Sequence, residues 1–228
     1  MRENPRVSEI APFAEIARDP DAGLDVLALA LAGEFRDVDA SGAIASLDAL
    51  GAALSRAVQQ TSKTPDAVVI ACRQVLGEAH GFHGDQVRYD HPDNSMLDLV
   101  LTRRRGLPIL LSVVYVEVAR RAGVELAGVG LPGHFVVGHF GADPPLLLDP
   151  FAGGAPVSAA GAAEALLRPW RAQEIAMRML NNLVAAYDRR GDLTRALRAA
   201  AMRLALPADP RLQDTMQVEL RAIQARLN

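Results

Sequence analysis

The run Gly106-Leu107-Pro108-Ile109-Leu110-Leu111-Ser112-Val113-Val114-Tyr115 decides the fold, read on through Leu131-Pro132-Gly133-His134-Phe135 to Leu148-Asp149-Pro150-Phe151. Proline suits the first helical position because the N–H it lacks would be unpaired there anyway. Pro108 therefore opens a helix whose buried face carries Leu111, Val114, Tyr115 and Val118, and Gly123 closes it. After Gly123 the pattern changes to short apolar runs, Leu126 to Leu131, Phe135 to Phe140 and Leu146 to Leu148, with Gly and Pro at the joins. One helix followed by a short antiparallel meander predicts an α+β core. Upstream, Asp93 or Asn94 is expected to cap a helix ending at Arg105-Gly106.

Outward from this centre the chain reads as helical on both sides. In residues 1–92, Leu24, Leu27, Leu31 and Phe35 recur at helical spacing, as do Ile44, Leu47, Leu54 and Val58. Thr64-Pro65 has the chemistry of a cap followed by a first-turn proline, opening a helix with Val68, Val69, Cys72, Val75 and Leu76 on one face. The core spans 93–156. In residues 157–228, Ile175, Met179, Leu183 and Tyr187 form a stripe, and Arg190-Gly191-Asp192 is a stop and restart. Asp209-Pro210 opens a last helix. The segment from Leu180 to Pro210 resembles one tetratricopeptide-type helical hairpin. Too few units fit for a free-standing array, so the hairpin is expected to pack on the core.

Of 228 residues, half are apolar and 22% charged, so whole-chain disorder is excluded. A net charge of −3, with Arg103-Arg104-Arg105 as the one dense basic cluster, gives no general reason to bind nucleic acid. The single cysteine, Cys72, can form neither an internal disulfide nor a thiolate-rich metal site. The polar opening MRENPRVSEI lacks the apolar run of a signal peptide. Leu107 to Ala119, interrupted by Ser112 and Glu117, is too short to span a bilayer. A cytoplasmic protein with no nucleic-acid or membrane partner is expected.

Gly128-Val129-Gly130-Leu131-Pro132-Gly133 matches G-x-G-x-x-G by letter. A dinucleotide site needs that pattern to lead into a helix. Here it leads into an apolar strand, so the match is rejected. His80 and His83 have a spacing that can hold a metal, but no thiolate or carboxylate pair completes a ligand set, and no metal or cofactor is expected. His134 and Asp149 are different, because His134 lies between two apolar strands and Asp149 ends the third. A carboxylate on the neighbouring strand can accept the imidazole Nδ1–H, fix its tautomer and leave Nε2 as a base. The competing reading is a His–Asp pair that merely satisfies buried polar groups.

Taken in order, these phrases resemble the transglutaminase-like branch of the papain-type fold, and more narrowly its SirB-type (invasion-gene regulator) members. The phrases are Gly81-Phe82-His83-Gly84, Tyr89 to Ser95, Arg104 to Ile109, Leu131-Pro132-Gly133-His134-Phe135 and Asp149-Pro150-Phe151. The resemblance implies a helix-plus-sheet core, a helical N-terminal region and a tetratricopeptide-like tail. It also implies a triad in which a cysteine opens the core helix, and His134 and Asp149 match the other two members. At the cysteine position stands Pro108. A helix N-terminus lowers a thiol's pKa, but proline has no thiol to activate.

Two residues can be considered as replacements. Ser112 projects from the same helix face as Pro108, about 6 Å further along the axis. Its simpler role is a hydrogen bond to the preceding turn. Cys72 lies in an apolar stripe, where a thiol is inert. Asn94 is a candidate cleft-lining group, or with Ser95 a helix cap. Arg103 to Arg105 complement a helix dipole. The expected function is a non-catalytic transglutaminase-like module binding a peptide or protein partner. The alternative is an amide-bond hydrolase or acyl transferase using His134 and Asp149 with Ser112, Cys72 or water as nucleophile.

Overall fold

A computed structural model describes residues 11–158 and 163–227. The polar opening therefore lies outside the described residues. The N-terminal third is helical: α1 (Phe13–Ile16), α2 (Leu24–Gly33), α3 (Ala40–Gln59) and α4 (Pro65–Cys72), which runs on as a π-helical turn through Ala79. Thr64 caps α4 by accepting from the Ala67 N–H, with Pro65 in the first turn, as its local chemistry predicts. Short strands β1 (His83–Gly84) and β2 (Arg105–Gly106) pair in parallel around α5 (Leu97–Arg103).

The expected helix from Asp93 or Asn94 to Gly106 is not what forms. A 3₁₀ turn over Pro92–Ser95 comes first, and Met96, in extended conformation, starts α5 without a side-chain cap. Arg104 then adopts φ 56°, which ends the helix and turns Arg105-Gly106 into β2. Asn94 does not cap, and its side chain is engaged elsewhere: Oδ1 accepts from Arg103 at 3.2 Å and Nδ2 donates to the Arg88 carbonyl at 2.7 Å.

The central helix α6 (Pro108–Arg121) begins at Pro108 and ends at Gly123, φ 71°. Four strands follow as an antiparallel meander: β3 (Leu126–Leu131), β4 (His134–His139), β5 (Leu146–Asp149) and β6 (Ala155–Val157). The sheet alternates as a two-faced sheet should. Phe135, Val137 and Leu148 join the main core with α6, while Val129, Val136 and Leu147 form a smaller cluster on the other face. Strand β6 escapes sequence detection because three residues carry no usable period.

The rejected glycine motif has a packing explanation. A Cβ on Gly130 would sit 2.2 Å from the Trp170 ring, and one on Gly128 would sit 2.9 Å from Phe135. The Trp170 N–H also donates to the Gly128 carbonyl at 2.9 Å. These glycines admit aromatic rings, not a pyrophosphate. Gly130→Val is expected to destabilise the chain by about 2–3 kcal/mol through overpacking. Urea unfolding followed by the fluorescence of Trp170, the chain's one tryptophan, reads it.

The C-terminal helices are α7 (Ala172–Arg189), α8 (Leu193–Arg203) and α9 (Pro210–Ala225). Asp192 and Asp209 cap α8 and α9 through the N–H groups of Arg195 and Leu212. The three pack in succession, and Ile175, Met179, Leu183 and Tyr187 bury the α7 stripe in the same core as α2 and α6. Phe35 stacks on Tyr187 with ring centroids 5.5 Å apart, fixing this hairpin to the N-terminal helices. Among the described residues no helix is long and apolar enough to cross a membrane.

Candidate functional site

His134 is the first residue of β4 and Asp149 the last of β5. The register pairs Val137 with Leu148, so Asp149 falls opposite Val136, diagonal to His134. The ring spans that diagonal, and its Nε2 lies 2.9 Å from Asp149 Oδ2. This corrects the expected use of Nδ1: two residues of offset along the strand demand the longer reach of Nε2. Nδ1 makes no hydrogen bond to a described residue. The other carboxylate oxygen of Asp149, Oδ1, accepts the Phe151 N–H at 2.9 Å. Asp149 is thereby held on both sides, and it holds the imidazole in turn.

Pro108 is buried at the first position of α6. The entrance of that helix is tied to the His–Asp pair through two glycines. Gly106 pairs with Gly84, and Gly84 leaves no room for a Cβ, which would sit 2.3 Å from the Phe151 ring. Phe151 meets Tyr89 edge-on with centroids 5.7 Å apart. Tyr89, 46% exposed, and the nearly fully exposed Val87 give this rim an apolar surface.

Asn94 is fully buried and supports the rim from behind. Its Nδ2 donates to the carbonyls of Arg88 and Tyr89, its Oδ1 accepts from Arg103, and its carbonyl accepts the Leu107 N–H at the start of α6. Arg103 also reaches Asp85 at 3.1 Å and Asp93 at 3.4 Å. Burial raises the Asp85 carboxyl, but the Arg88 N–H, Asn94, Arg103 and Arg88 side chains outweigh it and hold it below the ordinary carboxylate range. Sequence reasoning reads Arg103 first as complementing a helix dipole and second as binding a phosphate or carboxylate, not as the partner of Asp85. The signal it passed over was a carboxylate, Asp85, in an otherwise turn-like stretch.

The two alternative nucleophiles are not brought to the pair's surface. Cys72 is fully buried at the end of α4, and burial pushes its thiol up to about 12. Ser112 is 1% exposed, and its Oγ has no hydrogen-bond partner among the described residues, so the expected bond to the preceding turn is absent. Tyr115, three residues on, is equally enclosed, and burial raises its phenol well above the ordinary value. His83 Nδ1 lies 2.7 Å from the Gly81 carbonyl, and the His80 carbonyl accepts from Arg104. Among the described residues, no three His, Cys, Asp or Glu side chains are grouped to hold a metal.

One contributor comes from the far end of the chain. Arg178 on α7 donates from Nη2 to the His134 carbonyl at 3.0 Å. Its guanidinium lies 5.2 Å from the Phe135 ring centroid and 5.7 Å from that of Trp170. The C-terminal helices thus touch the strand that carries His134.

Known proteins are similar to this chain in sequence. A UPF0162 protein of Xylella fastidiosa (strain 9a5c) is 33% identical over 184 residues, covering 73% of this chain and 65% of the relative. The chain thus spans just under two thirds of that relative's length. A UPF0162 protein of Pseudomonas aeruginosa is 45% identical over 62 residues, 27% of this chain and 22% of that protein. F-box only protein 21 of Mus musculus is 40% identical over 70 residues, 31% of this chain but only 11% of its own length. No solved structure matches the chain. The family model of the transglutaminase-like superfamily matches residues 42–198, which takes in α3 to α6, the whole meander and the start of the C-terminal hairpin. On that match, and on a helix-and-sheet core bearing the His134–Asp149 pair, the chain belongs to the transglutaminase-like superfamily.

Proposed function

We propose that this chain is a non-catalytic, SirB-type member of its superfamily that binds a peptide or protein partner. The observation that carries the reading is Pro108. It occupies the first turn of α6, where the resemblance places the nucleophile, and it has no thiol or hydroxyl to offer. Neither Cys72 nor Ser112 supplies one, since both are enclosed in the core. What stays around the pair and the start of β4 is suited to holding a ligand: an imidazole held by Asp149, a half-exposed tyrosine against Phe151, and a guanidinium over two aromatic faces. The tetratricopeptide-like hairpin of α7 and α8 supports the same reading, because α7 brings Arg178 to the backbone of His134.

The test is equilibrium retention of a degenerate peptide library on the immobilised full chain. Retention of a defined subset is expected, and Tyr89→Ala is expected to weaken it about tenfold, the cost of losing one interface aromatic. Retention of nothing above a denatured-chain control contradicts the proposal.

A second reading rests on the His134–Asp149 contact itself, since 2.9 Å is the geometry of an oriented general base. On this reading water is the nucleophile, the base acts through Nδ1, and an amide bond is hydrolysed. His134→Ala would abolish such turnover.

A further inference from the structure

Arg178 is unlike the other enclosed arginines of the chain. Arg103 is paired with Asp85, Arg121 with Asp25 and Arg203 with Glu219. Arg178 has no ion pair among the described residues. Among the described residues its one hydrogen bond is to the neutral carbonyl of His134, and burial lowers its pKa. A half-buried guanidinium without an anion is costly to keep. The faces of Phe135 and Trp170 recover part of that cost through cation–π attraction, and they also hold the planar group in one orientation. Its other guanidinium nitrogens make no hydrogen bond among the described residues, and the side chain is only part-buried. The group is therefore positioned, charged and part-exposed.

We propose that Arg178 anchors a carboxylate on a ligand lying against the Phe135–Trp170 pair at the start of β4. The inference rests on the peptide-binding reading above and adds the ligand's chemistry. A planar guanidinium edge matches a carboxylate through two parallel N–H···O bonds. A single guanidinium balances a single negative charge, which suits a monoanion better than a dianion such as a phosphate monoester. A chain-terminal carboxylate and an Asp or Glu side chain offer the same group.

The experiment titrates the full chain with four probes: N-acetyl-leucine, N-acetyl-leucinamide, N-acetyl-aspartate N-methylamide and inorganic phosphate. Two signals report, the Arg178 Nε–Hε resonance and the fluorescence of Trp170, which lies beside it. At least one carboxylate probe is expected to bind about tenfold tighter than the leucinamide, the scale of a charge-assisted hydrogen bond. Its identity distinguishes a chain terminus from a side chain. That preference should vanish in Arg178→Gln and survive in part in Arg178→Lys, with both variants checked for an unchanged thermal midpoint. Where Arg178→Gln lowers the midpoint, Arg178→Lys and the wild-type acid-to-amide ratio decide.

Equal binding of acid and amide overturns the anchor and leaves the peptide-binding reading standing. Phosphate binding tighter than both carboxylates overturns the ligand class. If no probe binds while library peptides are still retained, the anchor alone fails. If neither probes nor library peptides bind, both proposals fail together.

Discussion

Arg121→Met lowers the unfolding free energy by about 3–5 kcal/mol at neutral pH, the cost of stranding buried carboxylates without their cation. Arg121 stands at the end of α6 and joins three elements. It reaches Asp25 of α2 at 2.5 Å, Asp48 of α3 at 2.6 Å and Glu117 of its own helix at 2.7 Å. Asp25 and Glu117 are almost fully buried. Methionine keeps much of the apolar stem's volume, so the loss isolates the charge. Arg120 stays within 2.8 Å of Glu117 and 3.6 Å of Asp25, which places the cost toward the lower figure.

The loss also depends on pH. Burial raises the Asp25 carboxyl, but Arg121, the Val26 N–H and Arg120 outweigh it, so its folded value lies below the ordinary one. A depressed carboxylate contributes stability that is present above its unfolded value, about 3.9, and lost as pH falls through the folded value. In Arg121→Met the carboxyl loses its main partner and burial dominates. The difference between wild type and variant should therefore be largest at neutral pH and shrink toward pH 4. Urea unfolding at several pH values measures both effects, and a pH-independent difference would contradict this account of the network.

The second large effect concerns thiol chemistry. In the native wild type, Cys72 is expected to react with a thiol reagent at least about a thousandfold more slowly than in the unfolded chain. The reason is a thiol pushed up to about 12 against about 8.5 for a free one, with access also blocked. Pro108→Cys introduces a second thiol at the first turn of α6. There the helix dipole favours the thiolate, and the His134–Asp149 pair can favour it further if the cleft has the geometry of its superfamily. That thiol should react about tenfold faster than a free one at neutral pH, while Cys72 stays inert as an internal reference. Adding His134→Ala should slow it by about tenfold. An introduced thiol as slow as Cys72, or indifferent to His134, would mean that Pro108 does not face the pair.

What the sequence made legible was local chemistry. Thr64-Pro65, Asp192 and Asp209-Pro210 mark helix starts because the capping atom and the N–H it satisfies lie within three residues. The meander showed in its glycine- and proline-bounded runs, and His134 and Asp149 stood out as polar residues bordering apolar runs. What stayed hidden was long-range. Asp25, Asp48 and Arg121 are far apart in sequence and share no pattern, although Glu117, a charge inside an apolar helix, marked a place where a cation was required. Arg178 likewise interrupts the Ile175 to Tyr187 stripe with no local hint that it reaches β4. The nitrogen that meets Asp149 depends on strand register, which residue spacing does not encode.

The most direct measurement incubates a degenerate peptide library with wild type and with His134→Ala, then reads the mass of every peptide in the bound and free fractions. A binding module on this frame returns a retained subset at unchanged mass from wild type. His134→Ala changes how much is retained and alters no mass. Cleaved or deamidated peptides that appear with wild type and disappear with His134→Ala would contradict that outcome and make the protein an amide-bond enzyme.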